Sequence, residues 1–183
     1  AAQLDRAVVD PDSRQWTMKD YCDPEHPLQR MIAEEIASFT GEPVGTSGID
    51  GCGAPVAAVS ALGLARAYST LGAAIRNMDA DARASTVATA MVDYPELIQA
   101  PGMPDTVLSE QLDAVVMSGA AGVLCVGLRS GASVVVKISD GATRAAYPVA
   151  LWALEATGHL PSEQVQQLLP QVTRPVIGGV QDN

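Results

Sequence analysis

Apolar residues recur at intervals of three and four along most of the chain, which is the spacing of a helix with one buried face. Gly41 predicts the end of the first helix, and Pro55 predicts the start of the second, because proline is favoured in a first turn. Asp105 and Ser162 are suited to cap later helices, and Pro148 predicts a kink or boundary. A short helix followed by a loop is predicted within residues 1–27, and the later predicted helices span residues 28–39, 55–71, 79–94, 105–116, 143–157 and 162–169.

The pattern changes to short β-rich runs at residues 122–128 (GVLCVGL) and 133–138 (SVVVKI). Ser130 and Gly131 form a turn signal between them, so the two runs predict an antiparallel hairpin. Residues 45–53 are rich in glycine and predict an irregular connection. Because strands do not alternate with helices as βαβ units require, we expect an α/β fold with an antiparallel sheet flanked by helices, in a single domain over residues 1–183.

Composition narrows the class of protein. Hydrophobic residues make up 48% of the chain, enough for a sizeable core, but aromatic residues make up only 4%, so that core must rest on Ala, Val, Leu, Ile and Met. The net charge of −10 would repel phosphate backbones and argues against nucleic-acid binding. No apolar run is long enough to span a bilayer, so we expect no membrane partner.

Cysteine usage bears on the compartment. Cys22, Cys52 and Cys125 are odd in number and widely spaced, which argues against a disulfide framework and predicts reduced thiols in a cytoplasmic protein. Residues 1–10 do not have the pattern of a signal peptide. The chain begins at Ala1 without an initiator methionine, and we expect it to be processed or cut from a longer protein.

Residues 50–53 (DGCG) carry the most informative chemistry. Cys52 lies in a Gly-rich turn before a predicted helix, where backbone N–H groups and the helix dipole favour a thiolate. A thiolate serves as a nucleophile or as a soft metal ligand, and Asp50 is placed to orient a ligand or to accept hydrogen bonds from the turn. The structural alternative is an Asp-Gly turn with a small buried cysteine, and the residues alone favour that alternative.

Two other groups of residues invite a functional interpretation. Cys22, Glu25 and His26 form a local cluster, but prolines 24 and 27 favour a turn over a metal site. Lys137 ends the second predicted strand; it is either a partly buried base or, as we prefer, an edge lysine that pairs with Asp140 or extends to solvent.

The remaining candidates have structural interpretations. His159 is predicted to follow a helix C-terminus and Cys125 to lie in the core. The chain contains no G-x-S-x-G, P-loop, H-E-x-x-H or S-x-x-K motif.

Four stretches, in this order, resemble motifs of the asparaginase II family, typified by thermolabile, zinc-associated rhizobial enzymes. The first two are specific as a pair, and the last adds a further anchor. The stretches are residues 23–29 (DPEHPLQ), 50–55 (DGCGAP), 118–123 (SGAAGV) and 137–145 (KISDGATRA). The resemblance covers nearly all of this chain but only about the second half of a full family member.

The resemblance implies a fold similar to serine β-lactamases and glutaminases and the hydrolysis of L-asparagine to L-aspartate and ammonia. In the family, a serine and lysine of an S-x-x-K motif perform the acyl transfer, and a C-S-G-K-H motif contributes two zinc ligands. By that match Cys52 is a zinc ligand, and Asp50 and Gly51 lie at the substrate. The implied partner is a small-molecule substrate, and a homodimer is an assembly that the resemblance allows.

The sequence departs from the family pattern at two places. Residues 1–4 (AAQL) resemble the residues just after the C-S-G-K-H motif, so the nucleophile, its lysine and two metal ligands are expected outside this chain. Met117 stands where the family has a lysine, and Ala121 stands where an acidic residue is frequent. We therefore weigh two functions: a fragment of an L-asparaginase that is inactive alone, and a degenerate, non-catalytic homologue that acts as a binding or interaction protein.

Overall fold

The computed structural model describes residues 21–173. The chain divides into two compact units, Ala1–Gly63 and Leu64–Asn183. The described residues form an α/β structure with six α-helices and two small antiparallel sheets. The helices are α1 (Pro27–Thr40), α2 (Ala61–Ala74), α3 (Ala82–Asp93), α4 (Pro104–Leu112), α5 (Ala146–Ala156) and α6 (Ser162–Val172). The strands are β1 (Thr46–Ile49), β2 (Pro55–Ala58), β3 (Ala114–Gly119), β4 (Val123–Leu128) and β5 (Ser133–Lys137), and 3-10 turns span Pro95–Leu97 and Thr143–Ala145.

Helix α1 in the first unit confirms the helix predicted over residues 28–39. The His26 imidazole caps it by accepting a hydrogen bond from the Leu28 N–H at 3.1 Å. Gly41 ends it in the left-handed conformation, with φ of 68°, which glycine adopts without steric cost. The predicted stop signal therefore works as expected.

The segment after α1 corrects two predictions. Residues 45–53 are not wholly irregular, and no helix begins at Pro55, because β1 and β2 pair antiparallel as a hairpin. The next helix begins instead at Ala61, where the Ser60 hydroxyl accepts a hydrogen bond from the Gly63 N–H at 2.9 Å. That bond satisfies one of the free donors of the first helical turn, so the cap at Ser60 sets the helix start and leaves Pro55 free to begin a strand.

The second unit contains a three-stranded antiparallel sheet in the order β3-β4-β5. The β4–β5 pairing confirms the predicted hairpin, and Gly131 supplies a positive φ of 85° in its turn. Strand β3 corrects another prediction, because the helix expected over 105–116 ends at Leu112. Asp113 adopts the left-handed conformation, and the chain reverses into the buried valines of β3. Those valines are β-branched and fit a pleated sheet better than a helix.

Helices cover both faces of this sheet. Helices α5 and α6 bury one face, where the core includes Leu124, Val126, Leu151 and Leu168. On the other face α2 lies close to β4, since a Cβ added to Gly72 would stand 2.7 Å from the backbone carbonyl carbon of Gly127. The close approach requires glycine on both elements.

The caps of the remaining helices differ from some predictions. Asp81 caps α3 with two hydrogen bonds of 3.0 Å, close to the predicted start of that helix. Asp105 does not cap α4, whose N-cap residue is Met103, and Ser162 is the first residue of α6 and not its cap. Pro148 lies in the first turn of α5, where the missing N–H interrupts no helical bond. None of the described helices is both long and apolar enough to cross a membrane.

Candidate functional site

Asp50 and Cys52 meet at the exposed tip of the β1–β2 hairpin. The backbone closes the tip through Asp50 N–H to the Ala54 carbonyl at 2.9 Å and Gly53 N–H to the Asp50 carbonyl at 2.8 Å. The Asp50 carboxylate accepts hydrogen bonds from the Gly51 N–H at 2.8 Å and from the Cys52 thiol at 3.5 Å. The turn thus presents a carboxylate and a thiol side by side to solvent.

This geometry changes the physical basis of the Cys52 prediction. The thiol is exposed, so the alternative of a small buried cysteine is wrong. The thiol also lies in a hairpin turn, because residues 55–58 form a strand, so the helix whose dipole was expected to favour its thiolate does not begin at Pro55. Chemistry at Cys52 therefore depends on the exposure of its thiol and on the neighbouring Asp50 carboxylate.

The segment containing Cys22 and His26 forms the predicted turn. The Asp23 carboxylate accepts a hydrogen bond from the Glu25 N–H at 2.9 Å, and the His26 N–H donates to the Asp23 carbonyl at 2.9 Å. A hydrogen bond with the Cys22 thiol, followed by its charge, raises the pKa of the Tyr21 phenol, and the charge of Cys52 contributes least. Among residues 21–173 no three His, Cys, Asp or Glu side chains converge in a way that could hold a metal ion.

Met117 and Ser118 of β3 point to opposite faces of the three-stranded sheet. Met117 is paired with Cys125 on the face that α2 covers, and its side chain is 44% exposed. Ser118 is paired with Leu124, which belongs to the core beneath α5 and α6. The position of the family lysine therefore opens on one face, and the Ser118 hydroxyl belongs to the other.

Cys125 lies in the core, as predicted. It is 3% exposed, and burial raises the pKa of its thiol to about 11, with a smaller contribution from the charge of Asp105. Burial also raises the pKa of the Tyr68 phenol on α2, with smaller contributions from Cys125 and Asp105. These protonated groups make the interior of this face neutral at physiological pH.

Asp105 forms a buried polar network that joins α4, β3 and α5. The residue is 3% exposed. Its carboxylate accepts hydrogen bonds from the Ser118 N–H and hydroxyl, both at 2.8 Å, and from the Tyr147 hydroxyl at 2.9 Å. The Asp105 N–H donates to the Gln99 side-chain oxygen at 2.8 Å. Burial is the main cause of the raised pKa of Tyr147, and the Asp105 charge adds to it. These hydrogen bonds connect the end of β3, at Ser118, to α4 and α5.

A cleft of about 480 Å³ lies next to this network, and we call it the Asp105 cleft. It opens within the second unit, between the segment before α4 and the start of α5. The residues that line it include Gln99, Met103, Pro104, Ser118, Arg144 and Tyr147. Its lining combines apolar side chains with the Ser118 and Tyr147 hydroxyls and the Gln99 carboxamide; Tyr147 is buried, and we call its side of the cleft the floor, whereas the Arg144 side chain is 75% exposed and marks the rim.

The model of the L-asparaginase II family matches residues 8–183. The chain belongs to the L-asparaginase II family. The match confirms the resemblance drawn from the four sequence stretches, and it implies an asparaginase-type function with a small-molecule substrate. A search of curated proteins found no match.

The family motif at residues 137–145 forms a turn between β5 and α5. The Lys137 ammonium donates to the carbonyls of Ala121 and Ile138, so the predicted pairing with Asp140 is wrong, but Lys137 is exposed on an edge strand as the preferred interpretation required. Asp140 pairs instead with Arg144 at 2.9 Å, and a hydrogen bond from the Ala142 N–H is the main cause of its lowered pKa. The motif therefore orders the chain that leads into α5 beside the Asp105 cleft.

Sequence reasoning missed Asp105, Gln99 and Tyr147 as parts of one polar network. Asp105 was interpreted as a helix cap, since its neighbours along the chain are those of a helix start. Tyr147 lies 42 positions away along the chain, so nothing local connects the two. The available signal was Ser118, which lies inside a family motif and is the residue through which Asp105 holds β3.

Proposed function

We propose that this protein is part of an L-asparaginase, which hydrolyses L-asparagine to L-aspartate and ammonia. The family match over residues 8–183 supports the reaction class. The assignment of roles to individual residues rests on the Asp50 and Cys52 side chains, which are hydrogen-bonded to each other at the hairpin tip. We assign Cys52 as a metal ligand, with Asp50 and Gly51 at the substrate.

The proposed chemistry is acyl transfer through a serine ester, with an oxyanion hole for the tetrahedral intermediate. The 183 residues contain no S-x-x-K motif. We therefore propose that the nucleophilic serine and its lysine base come from sequence beyond these residues, and that this chain alone does not turn over asparagine.

Zinc fits the donor set only in part. A thiolate such as that of Cys52 is a preferred zinc ligand, but zinc sites take three or four protein ligands. No three suitable side chains converge within the described part of the chain. Zinc would act as a Lewis acid or structural ion when the other ligands are supplied, and we expect no tight zinc binding by the chain alone.

We also propose that the complete protein has the fold of serine β-lactamases and glutaminases. The support is the three-stranded antiparallel sheet of the second unit, which has helices on both faces. A cytoplasmic location is part of the same proposal, and its support is that Cys22, Cys52 and Cys125 are all free thiols.

Ammonia release from L-asparagine tests the function. The purified chain is assayed beside the longest polypeptide encoded in frame with it, and we expect activity only in the longer one. Replacing Cys52 by serine in the longer polypeptide should lower activity and zinc content together, while Cys22→Ser should leave both unchanged. Turnover by the 183-residue chain, or full activity of Cys52→Ser, would refute the assignment.

Met117 favours a second candidate, a non-catalytic homologue that binds a ligand or partner. A thioether cannot relay a proton or hold a carboxylate as the ammonium of a lysine does. In a longer polypeptide with an S-x-x-K motif, the unmodified protein and its Met117→Lys variant together distinguish the two candidates. Activity gained by that variant indicates a degenerate enzyme, and activity before the substitution supports the L-asparaginase.

A further inference from the structure

We propose that the Asp105 cleft binds a free α-amino acid, with the ligand carboxylate at Arg144 and the ligand ammonium at the floor. The identity of that amino acid, L-asparagine or L-aspartate, rests on the proposed function. The site itself depends on the residues that line the cleft and on Asp105, which is hydrogen-bonded to two of them.

The floor of the cleft favours a cation. The Asp105 carboxylate lies behind it, and the partners of that carboxylate within residues 21–173 are the hydroxyls of Ser118 and Tyr147 and a backbone N–H, all of them neutral. Neutral donors satisfy hydrogen bonds but leave the negative charge uncompensated. An ammonium group in the cleft can donate hydrogen bonds to the Ser118 and Tyr147 hydroxyl oxygens, and it is attracted by the charge of the buried carboxylate to which those hydroxyls are bonded.

The rim favours an anion. Arg144 is the cationic residue of the lining, and its side chain is 75% exposed, so its guanidinium is accessible to a ligand. Its partner Asp140 is itself half-exposed, and ion pairs of that kind contribute little and exchange readily. A guanidinium can hold a carboxylate through two parallel hydrogen bonds, which adds directionality.

The two ends together select a zwitterion. A dicarboxylate would place one anion near Asp105, and a diamine would place one cation near Arg144, so each loses one favourable contact and gains a repulsive one. The volume of about 480 Å³ lies within the range of small-molecule sites and accommodates an amino acid with its water. The Gln99 carboxamide is a matching partner for a side-chain amide.

The cleft opens on the Ser118 side of β3, away from the face that carries Met117. Ligand binding there and the chemistry assigned to Asp50 and Cys52 therefore depend on different residues, and each can be removed without the other. This separation makes the inference testable whether or not the protein is an asparaginase.

Titration calorimetry with the purified 183-residue chain tests the proposal. The probes are L-asparagine and L-aspartate, with succinamate as the analogue that lacks the ammonium and β-alaninamide as the analogue that lacks the carboxylate. We expect saturable binding of one or both amino acids and at least about tenfold weaker binding of each analogue, since a charged hydrogen-bonding group has been removed. Equal binding of amino acid and analogues would overturn the zwitterion assignment.

Variants locate the site. Arg144→Gln and Tyr147→Phe should each weaken amino-acid binding by about tenfold. Arg129→Gln is the matched control, because Arg129 is also exposed and paired with an aspartate in the same unit, and it should leave binding unchanged. Circular dichroism establishes that each variant is folded.

The outcomes separate this proposal from the proposed function. Binding that survives Asp50→Asn but is weakened by Arg144→Gln supports the Asp105 cleft, whatever the ammonia assay shows. Binding abolished by Asp50→Asn and unaffected by Arg144→Gln would place the amino acid at the hairpin tip and overturn the proposal. Absence of binding by either amino acid at millimolar concentration would also overturn it, without bearing on turnover by the longer polypeptide.

Discussion

The carbonyl group of Tyr68 on α2 lies directly against the α-carbon of Gly127 on β4. A Cβ added to Gly127 would stand 2.9 Å from the Tyr68 carbonyl carbon and closer still to its oxygen. Contacts this short do not occur for real side chains, and both partners are backbone atoms that cannot rotate away. The helix can therefore approach the sheet only because residue 127 has no side chain.

Replacing Gly127 by alanine should lower the free energy of unfolding by about 3 kcal/mol, because the added methyl group forces α2 away from the sheet. Gly119→Ala is the control, since Gly119 lies in the same sheet and a Cβ there meets its nearest atom at 3.5 Å, an ordinary contact. Urea denaturation followed by circular dichroism measures both. Equal stability of the two variants would contradict the packing described for α2.

Removing the Asp105 carboxylate should be equally costly. Asp105→Ala leaves three donors near Ser118 and Tyr147 without their acceptor, and we expect a loss of about 3 kcal/mol. Asp105→Asn keeps the shape and one acceptor oxygen, so we expect a loss of about 1 kcal/mol. Asp79→Asn, at an exposed position, is the control for loss of a negative charge and should change stability by less than about 0.5 kcal/mol.

The thiols of Cys52 and Cys125 should react at different rates. Cys52 is exposed and Cys125 is buried with a pKa of about 11, so a disulfide reagent at pH 8 should label Cys52 at least about a hundred times faster. The rate at Cys125 should rise with pH toward 11, because only the thiolate reacts. Single-cysteine variants and mass spectrometry assign each rate. Slow labelling of Cys52 would show that the hairpin tip is covered in solution.

Asp113 should contribute stability that is lost in acid. Its pKa is lowered, mainly by a hydrogen bond from Arg76 and in smaller part by Arg129, so its folded-state pKa lies below its unfolded-state value. The contribution is therefore present above about pH 4 and disappears as the pH falls through the folded-state pKa. The ion pair between Arg76 and Asp113 is substantially exposed to solvent, which limits its contribution to the free energy of unfolding.

Asp113→Asn tests this, because asparagine also tolerates the left-handed backbone at this position. At pH 6 the variant should be less stable than the unmodified protein by under about 1 kcal/mol, and the difference should vanish near pH 2. Glu110→Gln, an exposed carboxylate on α4, should show no such pH-dependent difference. A difference that persists at pH 2 would assign the effect to the backbone and not to charge.

Local signals predicted much of the second unit. The β4–β5 hairpin follows from two β-rich runs around a Ser-Gly turn, and both its strands are found where expected. The end of α1 at Gly41 was equally local, since a left-handed residue that stops a helix is nearly always glycine. Where only one residue type readily adopts the required backbone conformation, the sequence alone predicts the structure at that position.

The failures have two physical causes: local signals that are ambiguous, and contacts that are not local at all. Pro55 suits both the first turn of a helix and the start of an edge strand, and the decision lies with Ser60, whose hydroxyl caps the real helix. Helix α4 was extended into β3 because alternation in a buried strand is masked when both faces are apolar. The Asp105 network was invisible, because it depends on tertiary contacts that no periodicity encodes.

The opposite orientations of Met117 and Ser118 let the two faces of β3 change independently in evolution. The methionine codon ATG differs from the lysine codon AAG at its middle base alone, so the lysine expected from the family resemblance is one mutation away. Because the Met117 side chain is 44% exposed, a lysine ammonium there can reach solvent without displacing Ser118 or its bonds to Asp105. Descendants of this protein can therefore lose or regain that lysine while selection on the Ser118 face continues undisturbed.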